Sequence, residues 1–264
     1  MFTRVVLAAT LAALAAGPAT ANARKFTYTY ESAALPKGAH EVEFWTTWRA
    51  GRSDVYSRLE NRLEYELGVT DRLLTAIYVN WKKVSERDPL TGDLGSESEF
   101  SGVSSEWKLK LLDPAADVLG LAGYLEGSAD SDETELEAKL ILDKSFGPIL
   151  VAYNGIAEAE WHWLPNAFVN DERIMEHVAG LSIAPAAGFA FGGESRIRSV
   201  YIDGVYEVGA AFAGPTLHWA RGEFWITATC LFQVSALKTI PEGEALELND
   251  HERMNARVLV SLPL

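Results

Sequence analysis

Cysteine is almost absent from this chain, since Cys230 is the only one among 264 residues. A single cysteine cannot build an internal disulfide framework, and no cysteine–histidine cluster has the spacing of a zinc site. No serine nucleophile motif such as G-x-S-x-G is present. We therefore expect no catalytic residues, no metal site and no cofactor, and the chain is not predicted to be an enzyme.

Basic residues are also scarce, with 23 Lys and Arg against 37 Asp and Glu and a net charge of −14. So acidic a chain lacks the positive surface that attracts phosphates, and no nucleic-acid partner is expected. Long apolar runs are missing after the first 23 residues, which argues against a membrane-spanning helix. Membrane β-barrels escape such a search, because each of their strands gives a much weaker signal.

The first 23 residues have the order of a secretory signal peptide. Arg4 supplies a positive charge, an apolar run covers 5–16, and Ala21 and Ala23 offer the small side chains of a cleavage site. The run is too short to span a bilayer. We predict cleavage after Ala23, which leaves a mature domain of residues 24–264 with a net charge of about −15, because Arg4 is lost.

The segment YSRLENRLEYEL, residues 56–67, fits two kinds of structure. At a helical period, Leu59, Leu63 and Leu67 share one face. At a period of two, the same leucines and Tyr65 share one face of a strand. The other face then carries five charged residues, Arg58, Glu60, Arg62, Glu64 and Glu66. The neighbouring segments favour the strand, because they alternate in the same way and leave a helix nothing to pack on.

Alternating segments recur along the whole mature chain and predict about twelve strands. The clearest cover 40–49, 56–67, 73–82, 103–112, 133–142, 155–163, 224–233 and 256–264. Weaker candidates, diluted by Gly and Ala, cover 118–126, 174–184, 189–198 and 210–220. Each strong segment has one apolar and one charged or polar face, and Cys230 falls on an apolar face. The predicted fold is all-β, an antiparallel up-and-down transmembrane barrel.

The links between these segments alternate in length. The longer, polar links are 50–54, 84–102, 127–132, 164–173, 199–209 and 236–254. The shorter links, rich in Gly, Pro and Asp, are 68–72, 112–117, 145–148, 185–188 and 220–223. Outer-membrane barrels combine short periplasmic turns with longer outer loops, whereas a soluble β-sandwich has no reason to sort its links in this way.

Aromatic residues lie near the predicted strand ends. Five belong to the outer ends and two to the periplasmic ends: Trp48, Tyr56, Trp81, Trp161 and Trp163, then Tyr65 and Trp219. This placement is typical of the aromatic girdles at the two membrane interfaces. The alternative is that they anchor the core of a soluble sandwich.

Three stretches together resemble a known group of proteins: LPKGAHEVEFWTTWR, NRLEYELGVTDRLLTAIYVN and GPTLHWARGEFWITATCLFQ. The group consists of uncharacterised exported proteins of Gram-negative bacteria that are described as outer-membrane β-barrels. The resemblance implies an outer-membrane location, contact with lipid and assembly by the barrel assembly machinery. It carries over no functional residues. One departure is the chain end, SLPL, where such barrels usually finish with Phe or Trp.

The charged face of the strands should line the lumen. Its candidate lining residues are Glu41, Glu43, Arg58, Glu60, Arg62, Glu64, Lys108, Lys110, Glu135, Glu137, Lys139, Glu158, Glu160, His162, Glu194 and Arg196. These charges either neutralise one another across the interior or line an aqueous channel. His162 beside Glu160 favours a rim hydrogen bond over catalysis. His251 with Asp250 and Glu252 favours a solvated acidic outer loop over weak binding of a cation.

Two classes of function follow from this barrel. The first is a narrow channel for small solutes, weakly cation-selective because acids outnumber bases inside, with Glu158 and Glu160 near its outer mouth. The second is a closed barrel that binds a ligand or partner through its lumen or loops. A soluble, lipocalin-like periplasmic carrier is a third. Residues 24–32 fit either a plug or a further strand.

Substitutions should differ between the two faces of the wall. Val79→Arg or Leu140→Arg, on the apolar face, should destabilise the barrel strongly, whereas Lys108→Ala, on the opposite face, should destabilise it far less.

Overall fold

The structure, a computed structural model, describes residues 23–88, 90–164, 167–239 and 242–264. The predicted signal peptide, apart from Ala23, lies outside the described residues. Twelve strands account for most of the chain: β1 (His40–Ala50), β2 (Tyr56–Gly68), β3 (Leu73–Arg87), β4 (Leu94–Leu112), β5 (Gly120–Ala129), β6 (Glu133–Phe146), β7 (Ile149–Leu164), β8 (Ala167–Ala186), β9 (Phe189–Ile202), β10 (Val205–Arg221), β11 (Phe224–Lys238) and β12 (Met254–Pro263).

These strands form a closed antiparallel barrel. Each strand pairs with the next one along the chain, and β1 pairs with β12 from Glu41↔Pro263 to Ala50↔Met254. Closure pairs every strand with a neighbour on both sides, apart from local register shifts such as that between Val79 and Trp81. The predicted fold and the predicted strand number are therefore confirmed. Within the described residues, no helix has the length and apolar character needed to cross a membrane.

The two faces of the wall differ as the alternation predicts. Large apolar side chains such as Phe44, Ile77 and Leu140 point outward and are exposed, while Glu43 and Thr47 point inward and are buried. The aromatic residues Trp48, Trp81, Trp163, Tyr65 and Trp219 also lie on the outer surface. An apolar outer surface of this extent is typical of membrane β-barrels.

The links differ from their predicted lengths. We use "turn end" for the end of the barrel where β1 begins and β12 finishes, and "loop end" for the opposite end. At the loop end, β3 and β4 continue in register to Arg87↔Leu94, although 84–102 was predicted to be a loop. The predicted loop 199–209 is likewise a hairpin, closed by Asp203 and Gly204, which both have positive φ. Backbone ladders need no apolar pattern, and Asp-Gly favours a two-residue turn.

Two segments outside the strands fold into the barrel instead of into solvent. Residues 23–36, hereafter the N-terminal segment, run inside the lumen from the turn end, where most of their side chains are buried. The link between β11 and β12 folds over the loop end, with Glu247, His251 and Glu252 buried. The expectation of a solvated loop around His251 was therefore wrong, because hydrogen bonds from the loop to Gln233 on β11 and to Arg52 hold it against the barrel.

Candidate functional site in the barrel lumen

The N-terminal segment fills the half of the lumen nearest the turn end. Phe26, Tyr28 and Tyr30 are buried, and so are Thr27 and Thr29 between them. This alternation of aromatic and threonine residues resembles a strand, but the segment pairs with side chains of the wall and not with a neighbouring strand. Residues 24–32 are therefore a plug.

Glu194 on β9 is the main anchor of this plug. Its Oε1 accepts the backbone N–H groups of Tyr28 and Thr29 at 2.9 and 2.7 Å, and its Oε2 accepts that of Thr27 at 3.0 Å. The hydroxyl of Thr229 donates to the same Oε2 at 2.5 Å. Three successive buried amides would otherwise lack partners, so this one carboxylate makes the bent backbone of the segment compatible with burial.

Two further side chains hold the rest of the segment. Asn154 on β7 accepts the N–H of Tyr30 at 2.6 Å and donates to the carbonyl of the same residue at 3.0 Å. Asp143 on β6 accepts the N–H of Ser32 at 3.0 Å. The segment is thus attached by its backbone to several different strands, which makes its conformation depend on the whole wall.

Cations surround the two tyrosines at the inner tip of the segment. The Arg24 guanidinium lies 3.9 Å and the Lys139 ammonium 4.1 Å from the ring centre of Tyr30, and Arg257 lies 4.1 Å from that of Tyr28. Burial raises the pKa of Tyr30 to about 12, against the opposing charges of Lys139 and Arg24. Both rings are therefore neutral and take part in cation–π contacts.

Glycines in the wall make room for the segment. A Cβ at Gly180 of β8 would lie 2.6 Å from the ring of Phe26, and a Cβ at Gly120 of β5 would lie 2.2 Å from the Ser32 hydroxyl oxygen. Contacts of that length are not tolerated, so any side chain at Gly180 would have to displace Phe26. The wall is therefore shaped for this segment.

The half of the lumen nearer the loop end is an open cavity of about 520 Å³, hereafter the vestibule. Tyr28 and Tyr30 of the N-terminal segment line its inner end. The remaining lining consists mainly of charged side chains from β1, β2, β6, β7, β8, β9 and β12. A cavity of this size accommodates a small solute.

One wall of the vestibule is basic. Arg49 and Arg58 both contact Glu60, with N–O distances of 2.9 and 2.6 Å. Arg196 and Arg198 similarly contact a single carboxylate, that of Glu176, at 2.5 and 2.6 Å. These four guanidinium groups are therefore already engaged, and their positive charge is partly compensated.

The opposite wall is acidic. The register places Glu137 opposite Glu158 and Glu135 opposite Glu160, so that like charges face each other on β6 and β7. Lys139 contacts Glu137 at 2.8 Å. Like charges on directly opposed positions repel, so this wall attracts cationic groups from solution.

The predicted lining residues fall into distinct regions of the lumen. Nine of them line the vestibule: Arg58, Glu60, Arg62, Glu135, Glu137, Lys139, Glu158, Glu160 and Arg196. Glu41, Glu43, Glu64 and Lys108 are buried nearer the turn end, and Glu194 binds the N-terminal segment. Lys110 is at the turn end and contacts Asp113 at 3.1 Å. His162 is at the rim, with its Nε2 3.7 Å from Glu133.

Sequence reasoning missed the residues that close the lumen. The sequence is compatible with Tyr28 and Tyr30 in either a plug or a strand, and nothing in it distinguishes Asn154 from other strand residues. The wall residues that hydrogen-bond to the segment are 111 to 230 residues away along the chain. Alternation at 26–30 was the only available signal, and it is shared with every strand.

The link between β11 and β12 is folded against the loop end of the barrel. Glu247 accepts the backbone N–H of His251 at 2.8 Å, and Gln233 on β11 exchanges two hydrogen bonds with the backbone of Glu247. Burial, together with Arg198 and Arg196, lowers the pKa of His251 to about 3. Although burial opposes it, Arg49 and Arg52 lower the pKa of Glu252. The loop is therefore docked with a neutral histidine and an ionised carboxylate.

Comparison with known proteins agrees with this architecture. A family model described as "Family of unknown function (DUF6662)" matches residues 18–263. No curated protein matches the chain.

Solved structures of outer-membrane proteins share the fold. The COG4313 outer membrane channel from Pseudomonas putida F1 superimposes with a TM-score of 0.63 at 14% identity, over 91% of this chain and 100% of the channel. The NanC porin gives 0.55 at 11% identity, over 84% and 100% of the two chains. The β domain of the Bordetella autotransporter BrkA gives 0.50 at 12% identity, over 86% and 100%. At these identities the likeness establishes the outer-membrane barrel fold.

Proposed function

Because the chain belongs to the DUF6662 family, whose description assigns no function, we propose from the barrel itself that it is an outer-membrane channel closed by its own N-terminal segment. In this proposal the protein is exported by its signal peptide and its turn end faces the periplasm. Small solutes enter the vestibule from outside and cross the membrane when the segment is displaced. Lipid and the barrel assembly machinery are its other partners, and no catalytic role is proposed.

The observation that carries this proposal is the way in which the segment is bound. The plug is one short stretch of irregular chain held by hydrogen bonds from wall side chains such as Glu194 and Asn154. Its removal leaves the twelve-stranded ladder intact, because the segment contributes no strand to the barrel. A closed wall with a separable plug is the arrangement that a gated passage requires.

The charge distribution supports a preference for cations. The arginines of the basic wall are engaged by Glu60 and Glu176, whereas the acidic wall has several glutamates opposed to one another. Negative potential in a narrow lumen concentrates cations. We propose weak cation selectivity on this basis.

A second candidate function is a closed barrel that binds a ligand in the vestibule without transport. The N-terminal segment supports this second candidate as well. It fills the turn-end half of the lumen so tightly that Phe26 and Thr29 are buried. The two candidates differ in one measurable respect, which is whether ions pass once the segment is displaced.

The test is to displace the segment by a single substitution in the wall. Gly180→Leu places a side chain where the Phe26 ring lies, whereas Gly123→Leu adds the same side chain at an outward position with open space around its Cβ. Planar-bilayer recording should give Gly180→Leu a mean conductance about tenfold or more above that of the native protein. Gly123→Leu should conduct like the native protein.

Folding of each variant is checked by its heat-dependent migration on gels before recording. If correctly folded Gly180→Leu passes no more current than Gly123→Leu, the channel proposal fails. The ligand-binding barrel would then be the better account of the vestibule.

A further inference from the structure

Four glutamates form a square on the inner face of the barrel near the turn end. The register of β1 and β2 places Glu41 directly opposite Glu66, and Glu43 directly opposite Glu64. All four are buried, with Glu43 and Glu64 exposed by no more than 1%. Two consecutive like-charged pairs across one strand pair are unfavourable unless something positive lies between them.

One carboxylate oxygen of this square lacks a hydrogen-bond partner among the described residues. Glu43 Oε1 is buried and accepts no hydrogen bond, and the same is true of both oxygens of Glu106 on β4. Glu64 is hydrogen-bonded to Glu66 and lies within electrostatic reach of Glu43 and Glu106, so it belongs to the same cluster. Buried carboxylates are normally hydrogen-bonded or bound to a cation.

The nearby basic side chains do not balance this charge. Arg24 of the N-terminal segment acts on Glu43, Glu64 and Glu106, and Lys108 of β4 acts on Glu66 and Glu106. Lys139 also acts on Glu106 and Arg62 on Glu64, but these two bases form ion pairs with Glu137 and Glu126. Arg24 and Lys108 are therefore left to face five buried carboxylates. The cluster has a negative surplus in a part of the lumen that the segment seals from the vestibule.

The distances between the oxygens suit a bound cation. One carboxylate oxygen from each of Glu41, Glu43 and Glu66 lies within 4.8 Å of the other two. Oxygens that ligate a common Ca²⁺ at about 2.4 Å are separated by no more than about twice that distance. We propose that Glu41, Glu43 and Glu66 bind one hard divalent cation of the Ca²⁺ class.

Neighbouring donors orient two of the three ligands. The indole N–H of Trp45 donates to Glu43 Oε2 at 2.8 Å, which leaves Oε1 directed away from that bond. The hydroxyl of Ser261 donates to Glu41 Oε2 at 2.9 Å. Such hydrogen bonds fix the carboxylates and lower the cost of bringing them together around an ion. Oxygen ligands alone, without His or Cys, favour Ca²⁺ over zinc or copper.

The experiment measures calcium binding to the refolded full chain in detergent micelles. Calcium content is determined after dialysis, and affinity by Tb³⁺ luminescence excited through tryptophan, since Trp45 adjoins the site. Glu43→Gln and Glu66→Gln each remove one ligand charge without changing side-chain volume. The control is Glu135→Gln, which removes one charge from the other cluster of three close carboxylates, Glu133, Glu135 and Glu160, at the vestibule rim.

We expect the native chain to retain one calcium ion, and each of Glu43→Gln and Glu66→Gln to weaken its binding by about tenfold or more. Glu135→Gln should bind calcium like the native chain. The proposal is overturned if the native chain binds no calcium, or if Glu135→Gln weakens binding as much as the lumen variants do. The first result would mean that protons and Arg24 neutralise the cluster. Transport is not needed for any of these outcomes.

Discussion

At the scale of single residues, the position of a side chain on the inner or outer face decides what it contributes. Leu140 is half exposed on the outer face of β6, while Lys139 beside it is buried among glutamates and tyrosine rings. In the proposed membrane barrel, outward side chains are surrounded by lipid instead of water. Inward side chains are surrounded by other charged groups instead of water. The same substitution therefore has opposite consequences at adjacent positions.

Leu140→Arg tests the outer face. We expect it to reduce the free energy of unfolding in lipid vesicles by about 2–4 kcal/mol, because an arginine near the bilayer midplane is poorly solvated. Urea unfolding followed by tryptophan fluorescence measures this loss.

The control for that experiment is Lys110→Ala. Lys110 forms a partly exposed ion pair with Asp113 at the turn end, and its loss should cost about 0–1 kcal/mol. Lys108→Ala is a poor control, although the sequence suggested it, because Lys108 is buried and acts on Glu66 and Glu106. Equal losses for Leu140→Arg and Lys110→Ala would contradict the assignment of lipid to the outer face.

At the scale of elements, the barrel carries two segments that occupy its ends. The N-terminal segment fills the turn-end half, and the β11–β12 link is folded against the loop end with Glu247, His251 and Glu252 buried. Both are irregular in conformation and both are held by side chains of the wall. Such segments open at a lower free energy than the ladder does, because fewer contacts are lost.

Docking of the β11–β12 link should depend on pH through His251. Its pKa is about 3 in the docked loop and returns toward 6.5 when the loop is released. Docking is therefore fully stable above pH 6.5, and it weakens as the pH falls from 6.5 toward 3. At about pH 5 the loss is about 2 kcal/mol. Arg49, Arg196 and Arg198 oppose protonation of the docked form, whereas Glu252 favours it.

Hydrogen exchange of residues 242–253, corrected for intrinsic rates, should therefore be faster at about pH 5 than at neutral pH. His251→Gln should remove this dependence, since its side chain does not titrate. His40→Gln, at an exposed position of the turn end, should retain it. The same pH dependence in His251→Gln would assign the effect to other groups.

At the scale of the whole molecule, the lumen is divided by charge as well as by the segment. The arginines of β1, β2 and β12 lie across the barrel from the glutamates of β6 and β7, while β9, which adds Arg196 and Arg198 to the basic wall, is paired with β8. A transverse field of this kind orients any solute that has a dipole. The surplus of acid decides which sign of ion is favoured.

The selectivity proposal is tested on Glu158 and Glu160 in the conducting Gly180→Leu background. Glu158→Gln/Glu160→Gln should move the reversal potential under a salt gradient toward zero, because two charges of the acidic wall are lost. Glu86→Gln/Glu97→Gln removes two charges from the exposed β3–β4 hairpin and should change it much less. An anion preference before mutation, or no change after it, would refute the charge argument.

The sequence by itself determined the barrel. Alternation such as that of Glu60, Leu59 and Leu63 predicted which face of each strand meets lipid, because side chains on a strand alternate regardless of what surrounds it. The Gly, Pro and Asp residues of the short links indicated tight turns, and tight turns imply that consecutive strands are neighbours in the barrel. The outer links were harder to predict, since polar ladder positions such as Ser85↔Ser96 need only backbone hydrogen bonds and follow no apolar pattern.

Tertiary structure alone decided what occupies the lumen. Phe26, Tyr28 and Tyr30 alternate like a strand, and only the arrival of Glu194 and Asn154 from distant strands makes them a plug. The carboxylate square of Glu41, Glu43, Glu64 and Glu66 likewise depends on the β1–β2 register. Alternation fixes the face a residue occupies. The neighbours it meets across the barrel are fixed by closure of the sheet, which joins residues more than a hundred positions apart.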